Sequence, residues 1–141
     1  MILYESRSAI LSFDSSIPCL ELIVKPGLRD GKEFKRTHKI IIEKFIELKE
    51  HHANLCFFID ARDLFEITKR EIAWLEKNFF PRLENAGLTK KAFLFYDTEA
   101  GKSVLATYKA KLDGTKIMFK EFKSFKQAKT WLKETEGVAP Q

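Results

Sequence analysis

With 141 residues, 45% of them apolar and 13 of them phenylalanine, the chain has the length of one domain and enough bulky apolar material to fold without metal or disulfide staples. No apolar run approaches the ~18 residues of a membrane span, and the first residues lack the basic-then-apolar pattern of a secretory signal, so the chain reads as cytoplasmic. The net charge of +5 is uneven: residues 1–87 hold 14 bases and 14 acids, whereas residues 88–133 hold 11 lysines and four acids. That basic third could meet an acidic protein or an anionic membrane surface. Its bases are all lysines, singly spaced and without an aromatic-basic signature, which argues against nucleic acid.

The elements follow in order. Residues 9–13 and 19–25 read as two strands separated by the turn-rich DSSIP, an antiparallel hairpin. Asp30, with Glu33 three residues on, gives a capping-box pattern, and Phe34, His38, Ile41, Phe45 and Leu48 then mark one face of an amphipathic helix. His38 lies on that apolar stripe, where a buried, hydrogen-bonded or neutral imidazole is expected. Residues 55–59 are five consecutive apolar residues, as in a strand covered on both faces. Thr68 and Glu71 form a second capping box, ahead of a helix face of Ile72, Leu75, Phe79 and Leu83. Pro81 should kink that helix, and Asn85-Ala86-Gly87 should stop it.

Residues 91–96 give another apolar strand. Val104, Leu105, Tyr108 and Leu112 give a third helix, closed by Asp113-Gly114. Residues 116–122 read as a half-exposed edge strand, and Ser124 with Gln127 caps a last helix carrying Phe125, Ala128 and Leu132. Cys19 and Cys56 fall inside apolar runs and read as buried, reduced thiols. The order β-β-α-β-α-β-α-β-α predicts an α/β fold: a mixed, mostly parallel sheet with an N-terminal β-hairpin and helices packed on it. Residues 1–136 form a single domain in this reading, and residues 137–141 a disordered tail.

Two stretches carry a family resemblance. FFIDARDLFEIT is a strand ending in an acid, followed by a helix with the Ile72–Trp74–Leu75 cluster. FKEFKSFKQAKTWLKE is a last strand turning through a capped helix into Trp131-Leu132. With the element order, these resemble the SpoIIAA-like group of STAS/SEC14-type domains over residues 17–134. The resemblance implies a non-enzymatic regulatory domain that acts through a protein partner or by binding a small apolar or lipid ligand. It further implies that the lysine-rich third could face anionic headgroups. STAS anti-sigma antagonists carry an Asp-Ser-Ser-Gly-like segment whose serine is phosphorylated. This chain departs from that pattern, with Ile67-Thr68-Lys69-Arg70 in its place. Thr68 is the one hydroxyl there, and its capping role accounts for it.

The residues themselves offer one edge for chemistry. Asp60, Arg62 and Asp63 follow one predicted parallel strand, and Tyr96 and Asp97 follow the next, where open α/β sheets place ligands. Facing carboxylates at Asp60 and Asp97 could do acid–base work in a small enzyme, the alternative reading. In the simpler account Asp60 and Asp63 cap loop amides and Arg62 pairs with one of them. No nucleophile elbow or metal-ligand spacing is present, so no cofactor or metal is expected. Gly101-Lys102-Ser103 lacks the upstream glycine of a phosphate loop, since Tyr96 stands there.

Overall fold

In a computed structural model, residues 1–27 and 29–134 are described; the tail at 137–141 lies outside them. Six strands form one sheet in the order of the chain: β1 (Ile2–Glu5), β2 (Ala9–Asp14), β3 (Cys19–Val24), β4 (Cys56–Asp60), β5 (Lys90–Leu94) and β6 (Met118–Phe122). The first three pair antiparallel and the rest are parallel. This is the mixed α/β architecture expected, with one strand added. β1 widens the hairpin into a three-stranded antiparallel unit.

The connections are α1 (Gly31–Lys49), α2 (Lys69–Asn78) with α3 (Phe80–Asn85), and α4 (Glu99–Leu112); α5 (Phe125–Lys133) follows the last strand. Each parallel strand is laid on the same side of its predecessor, so right-handed crossovers bring α1 to α4 to one face. Their buried residues, among them Phe45, Leu75, Phe80 and Tyr108, join Leu11, Phe57, Ile59 and Phe93 of the sheet in the main core. Among the described residues, only α5 reaches the opposite face. There Ala128, Trp131 and Leu132 cover Cys19, Cys56, Phe58, Ala92 and Leu94. The strand at residues 55–59 is therefore buried on both faces, and both thiols lie inside, free and with burial raising their pKa.

The helix starts follow the caps. Asp30 accepts from the Glu33 amide at 2.7 Å, but the Glu33 carboxylate turns instead to the Ser8 amide and hydroxyl, tying α1 to the start of β2. At α2 the box closes both ways: Thr68 Oγ1 accepts from the Glu71 amide, and Glu71 Oε1 from the Thr68 amide. Pro81 divides the helix at Phe79, and Gly87, at φ 101°, ends the second piece in a conformation that favours glycine.

α4 begins earlier than its apolar positions indicate, at a Thr98 cap. Gly101 lies in its first turn, so close to the strand end that an added Cβ would stand 2.2 Å from the Tyr96 carbonyl oxygen. Gly101-Lys102-Ser103 is thus a helix start pressed on a strand end.

Candidate functional site

Helices that follow parallel strands begin at the sheet's carboxyl edge, and β3 and β4 are neighbours. The N-termini of α1 and α2 are therefore brought side by side. Between them lies an open cleft of about 720 Å³, within the size range of small-molecule sites. Phe34 and Trp74 form its apolar wall, their rings 6.1 Å apart and edge to face. Lys32, Lys35 and Arg70 stand around it, all exposed. Arg29 crosses it, with its guanidinium 5.6 Å from the Phe34 ring centre and bonded to Glu71 Oε1 (2.6 Å) and the Glu66 carbonyl (3.0 Å). Cations outnumber the two acids in the lining, Asp30 and Glu71, and two helix N-termini add partial positive charge.

Arg29 and Phe34 also belong to the wall of a small, half-open inner cavity of about 30 Å³ that adjoins the cleft, between α1, α4 and the sheet. Seven of its twelve lining residues are apolar, with Ser8, Arg29, Thr37, His38 and Tyr108 as exceptions. Thr37 is 3% exposed and its hydroxyl has no hydrogen-bond partner among the described residues. A buried hydroxyl without a partner carries an appreciable desolvation penalty. His38 is buried with Nδ1 2.8 Å from the Phe34 carbonyl. Burial, which outweighs that bond, lowers its pKa to about 4, so it is the neutral imidazole expected from its place on the stripe.

The residues singled out from the sequence divide into three groups. Asp60, Arg62 and Tyr96 come together: Asp60 takes Arg62 Nε at 2.9 Å and Nη2 at 2.8 Å, and the Arg62 guanidinium lies 5.9 Å from the Tyr96 ring centre. Asp60 also accepts from the Arg62 amide, the loop-capping role. Those hydrogen bonds raise the Arg62 pKa above its ordinary value. Asp97 stands apart from this pair, 53% exposed on its side chain, facing Lys123 at 3.2 Å and Lys102 at 3.9 Å. Each carboxylate has its own cation, and neither makes a bond to the other. Asp63 and Thr68 share a third place, a shallow depression beside Arg29 and Glu71 that adjoins the cleft.

Comparison with known protein families, curated proteins and solved structures gives no match.

Sequence reasoning missed Arg29, Lys35 and Thr37, because they come near Trp74 only when β3 and β4 pair. It also missed Lys91. Lys90 and Lys91 open β5 on alternate faces and both are buried. Lys90 Nζ donates to the carbonyls of Trp131 and Glu134 and so caps the end of α5. Lys91 points the other way, is 1% exposed, and its Nζ has no hydrogen-bond partner among the described residues. The signal was two lysines at the head of a strand covered on both faces.

The basic third is also less free than its composition indicates. Lys109, Lys111 and Lys129 face Glu121, Glu76 and the Asp14–Glu21 pair. Burial would raise the Asp14 pKa, but hydrogen bonds from Lys129 and Ser16 bring it down to about 2. No helix among the described residues is long and apolar enough to cross a membrane, and no group of three metal-ligating side chains is found among them.

Proposed function

We propose that the protein is a binding domain of the SpoIIAA-like, STAS/SEC14 type, non-enzymatic, whose ligand is a small amphipathic molecule bearing an acid group. The element order and the two stretches quoted from the sequence support the family reading. The observation that carries the binding reading is the cleft between α1 and α2, apolar on the Phe34–Trp74 wall and positive around its opening. An apolar body would lie against the two rings, and its acid group would meet Lys32, Lys35, Arg70 and the helix N-termini. The Asp60–Arg62–Tyr96 edge suits contact with a protein partner, since Tyr96 is 49% exposed over an ion pair that is already satisfied. Acid–base work by Asp60 and Asp97 is the weaker reading, because each carboxylate already has its cation.

Native mass spectrometry of protein purified from cells tests the binding reading. A bound acid-bearing amphiphile is expected, lost or reduced in a Lys32→Glu/Lys35→Glu variant. Against a defined probe, dodecanoate, the same variant should bind about tenfold more weakly, the factor that ~1.4 kcal/mol of lost charge attraction produces. Apo protein alone in the spectrum, with no dodecanoate binding, would reject the reading.

A further inference from the structure

Three threonines stand inside helices: Thr37 in α1, Thr107 in α4 and Thr130 in α5. Thr107 and Thr130 turn their hydroxyls back to the carbonyls one turn earlier, 3.0 Å from that of Ser103 and 2.9 Å from that of Lys126. Any threonine in a helix interior has that local bond within reach. Both of these bonds lie at the surface, where water could replace them. Thr37 is the buried one, at 3% exposure, and its hydroxyl makes neither that bond nor any other among the described residues. The threonine with most to gain from a partner is the one without it.

Its place in the fold offers a partner from outside. Thr37 lines the half-open inner cavity, just under one turn further along α1 than Phe34, which is common to that cavity and the cleft. The other polar groups of the lining are largely committed. Ser8 bonds the Glu33 carboxylate, Arg29 bonds Glu71 and Glu66, and His38 Nδ1 meets the Phe34 carbonyl, which leaves Tyr108. A water beside Thr37 would therefore find one or two partners, where buried waters usually have about three. The space of about 30 Å³ is equally room for the last atoms of a chain that enters from the cleft.

Resting on the reading of the cleft as a site for an acid-bearing amphiphile, we propose that this amphiphile carries a hydroxyl at the far end of its chain, and that Thr37 recognises it. The acid group stays at the mouth among Lys32, Lys35 and Arg70, and the chain passes Phe34. Its terminal hydroxyl then shares a hydrogen bond with Thr37 Oγ1. From Gly31, at the head of α1, to Thr37 is ~9 Å along the helix axis, so a chain of medium length spans the two. The chemistry of the lining selects the end group. A second charge would be desolvated against Ala9, Leu22, Val24 and Ile59. A plain methyl end would leave Thr37 unpaired. A hydroxyl is neutral, small, and able both to donate and to accept.

Calorimetric titration of the full chain with matched pairs of straight-chain acids, plain and ω-hydroxylated, from octanoate to dodecanoate, tests this. At the length that fits, the wild type should bind the hydroxy acid about fivefold more tightly than its plain counterpart, the effect of one net hydrogen bond. Thr37→Val keeps the shape of the side chain and removes the hydroxyl, so it should bind the plain acids as the wild type does and lose the preference. Thr37→Ser, which retains the hydroxyl, should retain the preference. Equal wild-type affinity for plain and hydroxylated acids at every length overturns the proposal, whatever the variants do, and leaves the cleft reading standing. A preference that persists in Thr37→Val also overturns it, since the hydroxyl is then recognised elsewhere. If no acid of either kind binds the wild type, the cleft reading fails and this proposal with it.

Discussion

Replacing Lys91 by methionine is expected to stabilise the protein, and by an amount that depends on pH. The side chain is 1% exposed, has no acceptor among the described residues, and has its pKa lowered by burial from 10.5 to about 7. At 1.36 kcal/mol per pKa unit, that is about 5 kcal/mol of penalty when both states are protonated, and about 4 kcal/mol at pH 7. Cation–π attraction from the rings of Phe57, Phe79, Phe80 and Tyr108 returns roughly 1–2 kcal/mol of it. Lys91→Met should therefore be more stable by about 2–3 kcal/mol at pH 7. Between pH 7 and 10.5 the unfolded chain still holds a proton on this amine that the folded chain has released. Wild-type stability thus rises with pH across that window, and the gap to the variant closes towards pH 10. Burial raises the Tyr108 pKa, so the unfolded chain loses that proton first and stability falls somewhat near pH 10, but the effect is common to both proteins and cancels in the gap between them. Urea unfolding at pH 7, 8.5 and 10 with both proteins measures it, provided the slope with urea stays the same. A variant less stable at pH 7, or a gap that does not change with pH, would refute the reasoning.

Three further outcomes follow from other contacts. Gly101→Ala places a Cβ 2.2 Å from the Tyr96 carbonyl oxygen, a backbone atom, and should cost about 2–3 kcal/mol in urea unfolding, as overpacking does. His38 is neutral and buried with a pKa of about 4, so as pH falls from 6.5 towards 4 the unfolded chain gains a proton first and stability drops, by up to about 3 kcal/mol. His38→Leu should flatten that acid limb; an unchanged limb would assign it to other groups. Thr68→Ala removes the α2 cap and should lower stability by about 1 kcal/mol, with Thr68→Ser restoring most of it.

What could be read in the sequence was whatever depends on near neighbours. The caps at Asp30, Thr68 and Ser124, the break at Pro81 and the stop at Gly87 are local chemistry, and each is found where expected. β1 escaped because Ile2–Glu5 is four residues long, lies on the sheet edge and is only half buried, leaving little apolar alternation to detect. The first turn of α4 escaped because Glu99-Ala100-Gly101-Lys102-Ser103 offers no apolar stripe, and Gly101 suits a backbone contact that only the fold creates. At the site, the Asp60–Arg62 pair was legible as two residues in one turn. The cleft was not. Phe34 and Trp74 are distant in sequence and meet only because β3 and β4 are adjacent and parallel. Lys91 required knowing that its face of β5 looks into Phe57, Phe80 and Tyr108 rather than towards solvent.

The central claim, a ligand site between the N-termini of α1 and α2, is tested most directly by titrating isotope-labelled protein with dodecanoate and following amide resonances. Saturable shifts are expected at Gly31, Lys32, Phe34, Lys69 and Arg70 and at the Trp74 indole. Thr37 should follow if the chain end reaches the inner cavity. Shifts confined to Arg62, Tyr96 and Asp97, or none at all, would contradict the account.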